Sequence, residues 1–126
     1  MKELGGKIIG AAVEVHRELG PGLLESTYEK CMTQELLLQG IKAERQKKLP
    51  VLYKGLEINE GYRIDILVED RIILELKTVD SLNNLHIAQL LTYLKLSGNT
   101  LGYLLNFNVS LMKDGVRRIV NNYSDS

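Results

Sequence analysis

Ile8, Ala12, Val15 and Leu19 recur at three- and four-residue spacing, which predicts a helix over residues 3–19 with one apolar stripe. Gly10 lies inside it and permits close packing. Gly20-Pro21-Gly22 stops that helix and turns the chain. A second helix is expected over 22–39, with Leu24, Tyr28, Cys31 and Leu38 on its apolar side and Gly40 at its end. The period then changes from helical to alternating. Residues 48–53 form a strand candidate in which Pro50 signals an edge position or a bulge. Lys54-Gly55 reads as a turn and 56–58 as a short return strand. Residues 63–68 and 72–77 alternate as two further strands. A third helix is expected over 83–97, with Leu85, Ala88 and Leu91 on its buried side and Gly98-Asn99 closing it. The nearly continuous apolar run 101–107 reads as a central strand covered on both faces, 116–120 as a last strand, and 121–126 as a polar tail. This order of elements predicts one α/β or α+β domain over residues 1–120, with helices packed on a sheet.

The same alternation sets a register. If Ile64, Ile66 and Val68 share the inward face with Ile72, Leu74 and Leu76, then Val68 pairs with Ile72 and Ile66 with Leu74. Asp65 then falls opposite Glu75, across a three-residue loop, Glu69-Asp70-Arg71. A one-residue slip would drive Glu75 to the core side, which is costly when one face is buried.

Composition narrows the classes. The chain has 126 residues, enough for one compact domain, with 44% hydrophobic and 25% charged residues. Its formal net charge of zero provides no long-range attraction to nucleic acid, so any basic surface must be local. The single cysteine, Cys31, can form neither an internal disulfide nor a metal site by itself, and reads as a small hydrophobe in a reducing cytoplasm. No stretch is long and apolar enough to span a membrane, and MKELGGKIIG lacks the pattern of a signal peptide.

Facing carboxylates repel, and a cation between them removes that penalty. Mg²⁺ and Mn²⁺ take oxygen ligands, commonly one or two carboxylates completed by water and phosphate. Lys77 lies on the same strand face as Glu75 and can neutralise a phosphate or position an attacking water. These three residues therefore fit metal-assisted phosphodiester hydrolysis. They equally fit an ordinary sheet face on which Lys77 neutralises a carboxylate.

Further motifs accompany them in order: "GLLESTY" (Gly-x-x-Glu-x-x-Tyr), "YRIDILVED", "IILELKTVD", "HIAQLLTYLK" and "LLNF". Together, over about residues 8–120, they resemble the GxxExxY family, a branch of the PD-(D/E)XK nuclease superfamily. The resemblance implies a restriction-endonuclease-like core, a central mixed β-sheet flanked by helices. It implies that Asp65 and Glu75 bind metal, joined by the Leu76 carbonyl and, directly or through water, by Glu25. It assigns Lys77 to the attacking water and to the charge developing on the phosphate. Gln89 and Tyr93, one helical turn apart, would orient catalytic groups and touch the phosphate backbone. Mg²⁺ or Mn²⁺ is the implied cofactor and nucleic acid the partner, DNA ahead of RNA. A proline precedes the aspartate in the superfamily's name, whereas Ile64 stands here.

Other residues carry weaker signals. Glu25 also suits the first turn of a helix, where a negative charge favours the dipole. His86 shares a face with Gln89 but reads first as a surface or packing histidine, and His16 as a helix-end residue near the Gly-Pro-Gly turn. Lys42, Arg45, Lys47 and Lys48 form a basic cluster that suits either a phosphate track or a solvated edge. The rival to a nuclease is a non-catalytic nucleic-acid-binding or assembly module on the same fold. A chain this small would need a homodimer or a partner to complete a groove for DNA.

Overall fold

The structure, a computed structural model, describes residues 2–123. Two helices come first, α1 (Lys2–Leu19) and α2 (Glu25–Leu38). Five strands follow: β1 (Ala43–Lys48), β2 (Val51–Tyr53), β3 (Leu56–Ile58), β4 (Arg63–Val68) and β5 (Ile72–Lys77). Then come α3 (Asn84–Ser97), β6 (Leu101–Asn106), a 3₁₀ turn at Met112–Gly115, and β7 (Val116–Val120). The sheet order is β1-β4-β5-β6-β7, while β2 and β3 form a separate ribbon. β5 and β6 run parallel and the other neighbours antiparallel, so this is the mixed sheet flanked by helices that the family resemblance implies. A parallel pair needs a crossover, and α3 supplies it.

Both faces of the sheet are covered. On one, α1 and α2 pack Ile8, Ala12, Val15, Tyr28, Met32 and Leu36 against Ile66, Leu74 and Leu76. On the other, α3 packs Leu90, Tyr93 and Leu94 against Leu67, Ile73 and Leu104. Gly102 on β6 permits that closeness, because a Cβ there would lie 2.9 Å from Leu90 Cδ1 and 3.1 Å from the Ile73 carbonyl oxygen. Substituting a fully buried leucine such as Leu104 by Ala would cost about 2–5 kcal/mol.

Several expected faces are corrected. Leu24 and Leu38 are 74% and 71% exposed, and α2 instead buries the row Tyr28, Met32, Leu36, wedged between α1 and the sheet. In α3, Leu85 is 76% exposed and Ala88 is exposed. Leucines encircle this helix, so hydrophobicity leaves its rotation open and packing over Gly102 sets it. The strand expected over 48–53 is split. β1 ends at Lys48, Pro50 interrupts, and β2 begins at Val51. The sequence of β1, AERQKK, shows no apolar alternation because an edge strand paired only with β4 exposes most of its side chains.

Ile64 is a further correction. It packs in the α3-side cluster, whereas Ile66 and Val68 belong to the opposite one. The faces switch at Asp65, where the β1–β4 pairing skips Gln46, a residue at φ 54°. Beyond β7, the Asn121 N–H bonds the Thr100 carbonyl at 2.9 Å, and Arg118 lies 4.7 Å from the centre of the Tyr123 ring. The last part of the expected tail, 124–126, lies outside the described residues.

Candidate active site

β4 and β5 meet in the register that the apolar pattern demands. Val68 pairs with Ile72 and Ile66 with Leu74, across a loop in which Glu69 and Asp70 take φ 52° and 56°. The Arg71 N–H closes that turn on the Val68 carbonyl at 2.9 Å. One residue beyond Ile66 and Leu74, side chains replace the backbone ladder. The Asp65 N–H donates to Glu75 Oε2 at 2.8 Å, and the Leu76 N–H donates to Asp65 Oδ2 at 2.9 Å. Each carboxylate thus holds the other's strand, and both lie at one point of the sheet.

The surroundings disfavour two negative charges. Glu75, expected to point away from the core, is only 5% exposed, because helices cover both faces of the sheet. Burial, then the nearby Asp65 charge, pushes its carboxyl well above the ordinary range, against the Asp65 N–H and Lys77. Burial likewise raises Asp65, opposed first by the Leu76 N–H. Lys77 is half-buried and attracts both carboxylates, yet among the described residues neither carboxylate has an ion-pair partner.

Glu25 is the first residue of α2, and its carboxylate accepts the Thr78 N–H at 3.0 Å, just beyond β5. Tyr28, one turn on, locks the entry to this helix. Its hydroxyl donates to the Gly20 carbonyl and accepts the Leu23 N–H at 3.2 Å, while its ring stacks on Phe107 at 4.5 Å. Gly-x-x-Glu-x-x-Tyr therefore aims Glu25 at the end of β5. On α3, Gln89 Nε2 meets the Tyr93 hydroxyl at 3.4 Å. Tyr93 is buried, and burial followed by the Glu75 charge raises its phenol.

Two contributors escaped the sequence reading. Glu29 is buried, accepts from Arg45 Nε at 3.1 Å and from Gln46 Nε2 at 2.9 Å, and adds negative potential at both Asp65 and Glu75. Its signal was its place four residues after Glu25, on the same helical face. Asn106, also buried, clamps the segment after Lys77. Its Nδ2 donates to the Val79 carbonyl at 2.9 Å and its Oδ1 accepts the Val79 N–H at 3.1 Å. The histidines serve the scaffold. His86 completes a capping box with Asn83 at the start of α3, and His16 Nε2 meets the Val109 carbonyl at 2.8 Å. Of the basic cluster, Lys42 pairs with Asp70, Arg45 with Glu29 and Lys47 with Glu44.

Among the described residues, no three His, Cys, Asp or Glu side chains converge closely enough to hold a metal ion. Asp65 and Glu75 come together with Leu76, while Glu25 is turned to Thr78. The donors are oxygens throughout, and among the described residues the pair has Lys77 nearby but no ion pair. Both facts fit a hard cation that binds two carboxylates and completes its shell with water and phosphate.

The family model for the PD-(D/E)XK nuclease superfamily matches residues 2–119. The chain belongs to the PD-(D/E)XK nuclease superfamily. The five-stranded mixed sheet with flanking helices is accordingly a restriction-endonuclease-like core. In this PD-(D/E)XK chain, Asp65 and Glu-x-Lys stand on adjacent antiparallel strands. No curated protein matches the sequence. Among solved structures, the crystal structure of SSO0001 matches at 17% identity and a TM-score of 0.45, covering 96% of this chain and 79% of that one. No described helix is long and apolar enough to cross a membrane.

Proposed function

We propose that the protein is a Mg²⁺- or Mn²⁺-dependent nuclease of the GxxExxY type, acting on DNA ahead of RNA. One observation carries the reading: two carboxylates interlocked between neighbouring strands, one of them buried, and neither in an ion pair among the described residues. A structural ion pair would have a partner. Carboxylates whose ionisation is this disfavoured are more typical of a functional centre.

Asp65, Glu75 and the Leu76 carbonyl would hold the metal, with Glu25 contributing directly or through water. When bound, the ion supplies Lewis-acid stabilisation of charge on the phosphate oxygens and acidifies a water ligand. Lys77 would orient the attacking water and neutralise charge as it develops in line with the leaving group. Tyr93, fixed by burial and by Gln89, would stand beside the carboxylates to position the phosphate. Asn106 holds the chain after Lys77 and so limits where that ammonium can go. Cys31, free and half-buried, suits the reducing cytoplasm we assign to it.

Calorimetry with Mg²⁺ and Mn²⁺ tests the proposal, comparing wild type with Asp65→Ala and Glu75→Ala and following cleavage of single- and double-stranded DNA in the same samples. Saturable binding and cleavage that both disappear in the variants are expected. A second reading, a non-catalytic nucleic-acid-binding or assembly module, draws on the lack of a three-residue metal cluster among the described residues. Wild-type protein that neither binds metal nor cleaves, with nucleic acid present to complete the metal shell, would establish that reading instead.

A further inference from the structure

Tyr93 feels the charge of Glu75, and Gln89 bonds its hydroxyl. They also line a groove of about 400 Å³ between α3 and the β2–β3 ribbon, whose walls are the apolar side chains of Val51, Leu85 and Leu96 and the ring of Tyr62. Tyr62 is 47% exposed, yet its backbone is held, because its carbonyl accepts the Leu49 N–H at 2.9 Å. Leu96 is shared with a second groove of about 540 Å³, lined by Lys48 and Lys95 together with Lys47 and Asp70, which pair with Glu44 and Lys42. Among the described residues neither Lys48 nor Lys95 has an ion-pair partner. An apolar, aromatic groove is thus lined at one side by Tyr93, whose phenol feels the Glu75 charge, and adjoins lysines without ion-pair partners among the described residues at the other.

We propose that the two grooves are the path of a single unpaired nucleic-acid strand, with a base lying against Tyr62 and neighbouring phosphates meeting Lys48 and Lys95. The inference deepens the nuclease reading and rests on it for the direction of the path. Such a surface suits a ligand that alternates apolar faces with phosphates. A duplex hides its base faces in the stack and presents only edges and backbone. Clamping a duplex relies on many phosphate contacts, whereas among the described residues only two lysines lining these grooves, Lys48 and Lys95, have no ion-pair partner. A base stacked on an aromatic ring tolerates any sequence and tightens binding roughly 5- to 150-fold.

Fluorescence anisotropy in EDTA tests this without cleavage, using a labelled twelve-nucleotide oligothymidylate and its duplex with oligoadenylate. The single strand should bind more tightly. Tyr62→Ala should weaken the single strand at least about fivefold while leaving the duplex unchanged, and Tyr62→Phe should bind as wild type does. The double variant Lys48→Ala/Lys95→Ala should flatten the dependence of log affinity on log salt by about 1.4. Tighter binding of the duplex, no measurable binding of the strand, or a strand affinity indifferent to both sets of variants would overturn the inference. Cleavage with Mn²⁺ scored separately distinguishes the two readings. Strand binding through Tyr62 without cleavage removes the nuclease and leaves the path. Cleavage with no strand preference and no effect at Tyr62 removes the path and leaves the nuclease.

Discussion

Glu75 illustrates how one buried side chain can set the behaviour of a protein. Its carboxyl and that of Asp65 are both raised, chiefly by burial, so the metal-free folded state holds more protons at this pair than the unfolded chain does. Unfolded carboxyls titrate near 4. The stabilisation contributed by the protonated pair is therefore complete below about pH 4 and is lost as pH rises through the raised folded values. In EDTA, the melting temperature should fall from mildly acidic to alkaline pH. Glu75→Gln keeps an oxygen to accept the Asp65 N–H and cannot ionise. That variant should melt close to wild type at pH 5 and higher at pH 8, by about 3–6 °C for roughly 1 kcal/mol. Circular dichroism melts across this range check it, and a flat wild-type profile would contradict it.

Local contacts hold the elements that present the site. α3 starts with a capping box between Asn83 and His86, and Asn83→Ala should cost about 1 kcal/mol in urea unfolding. It lies close over Gly102, where a methyl group would meet Leu90 and the Ile73 carbonyl. Gly102→Ala should destabilise by about 1–3 kcal/mol through overpacking. Because it would also lift Tyr93 and Gln89 away from β5, we expect cleavage to fall by more than the unfolded fraction explains. The comparison is kcat against the urea midpoint of the same preparation. Asn106 bonds the segment after β5 through both ends of its amide. Asn106→Ala should lose about 2–3 kcal/mol, since it removes those bonds and leaves backbone groups of Val79 unsatisfied.

Across the whole molecule, the proposed metal site would link cation binding to folding. An ion that binds only the folded state stabilises it by mass action. Mn²⁺ should therefore raise the melting temperature, and more strongly at pH 8 than at pH 6, because protons compete for the same oxygens. Asp65→Ala should abolish that increment. Scanning calorimetry with and without Mn²⁺ provides the check. An increment that stayed the same at both pH values would place the ion elsewhere.

The β4–β5 register was legible without coordinates. Burying Ile66, Val68, Ile72 and Leu74 on one face across the shortest loop that allows it pairs Val68 with Ile72, and that pairing puts Asp65 beside Glu75. The ordered motifs from Gly22 to Phe107 likewise identified the superfamily and its mixed sheet. Rotation of the helices was not legible. Leucines surround α3, and α2 buries Glu29 and Thr33 beside its apolar row, so only contact with neighbours decides which side turns inward. The face switch at Ile64 and the strand β1 were hidden for a related reason. An edge strand carries no alternation, and a break at Gln46 depends on a Glu29 carboxylate seventeen residues earlier. Local pattern determines which residues pair within a hairpin, because neighbouring strands share one buried face. Tertiary packing alone decides which distant groups share a desolvated space, and that desolvation raises the carboxyls of Asp65 and Glu75.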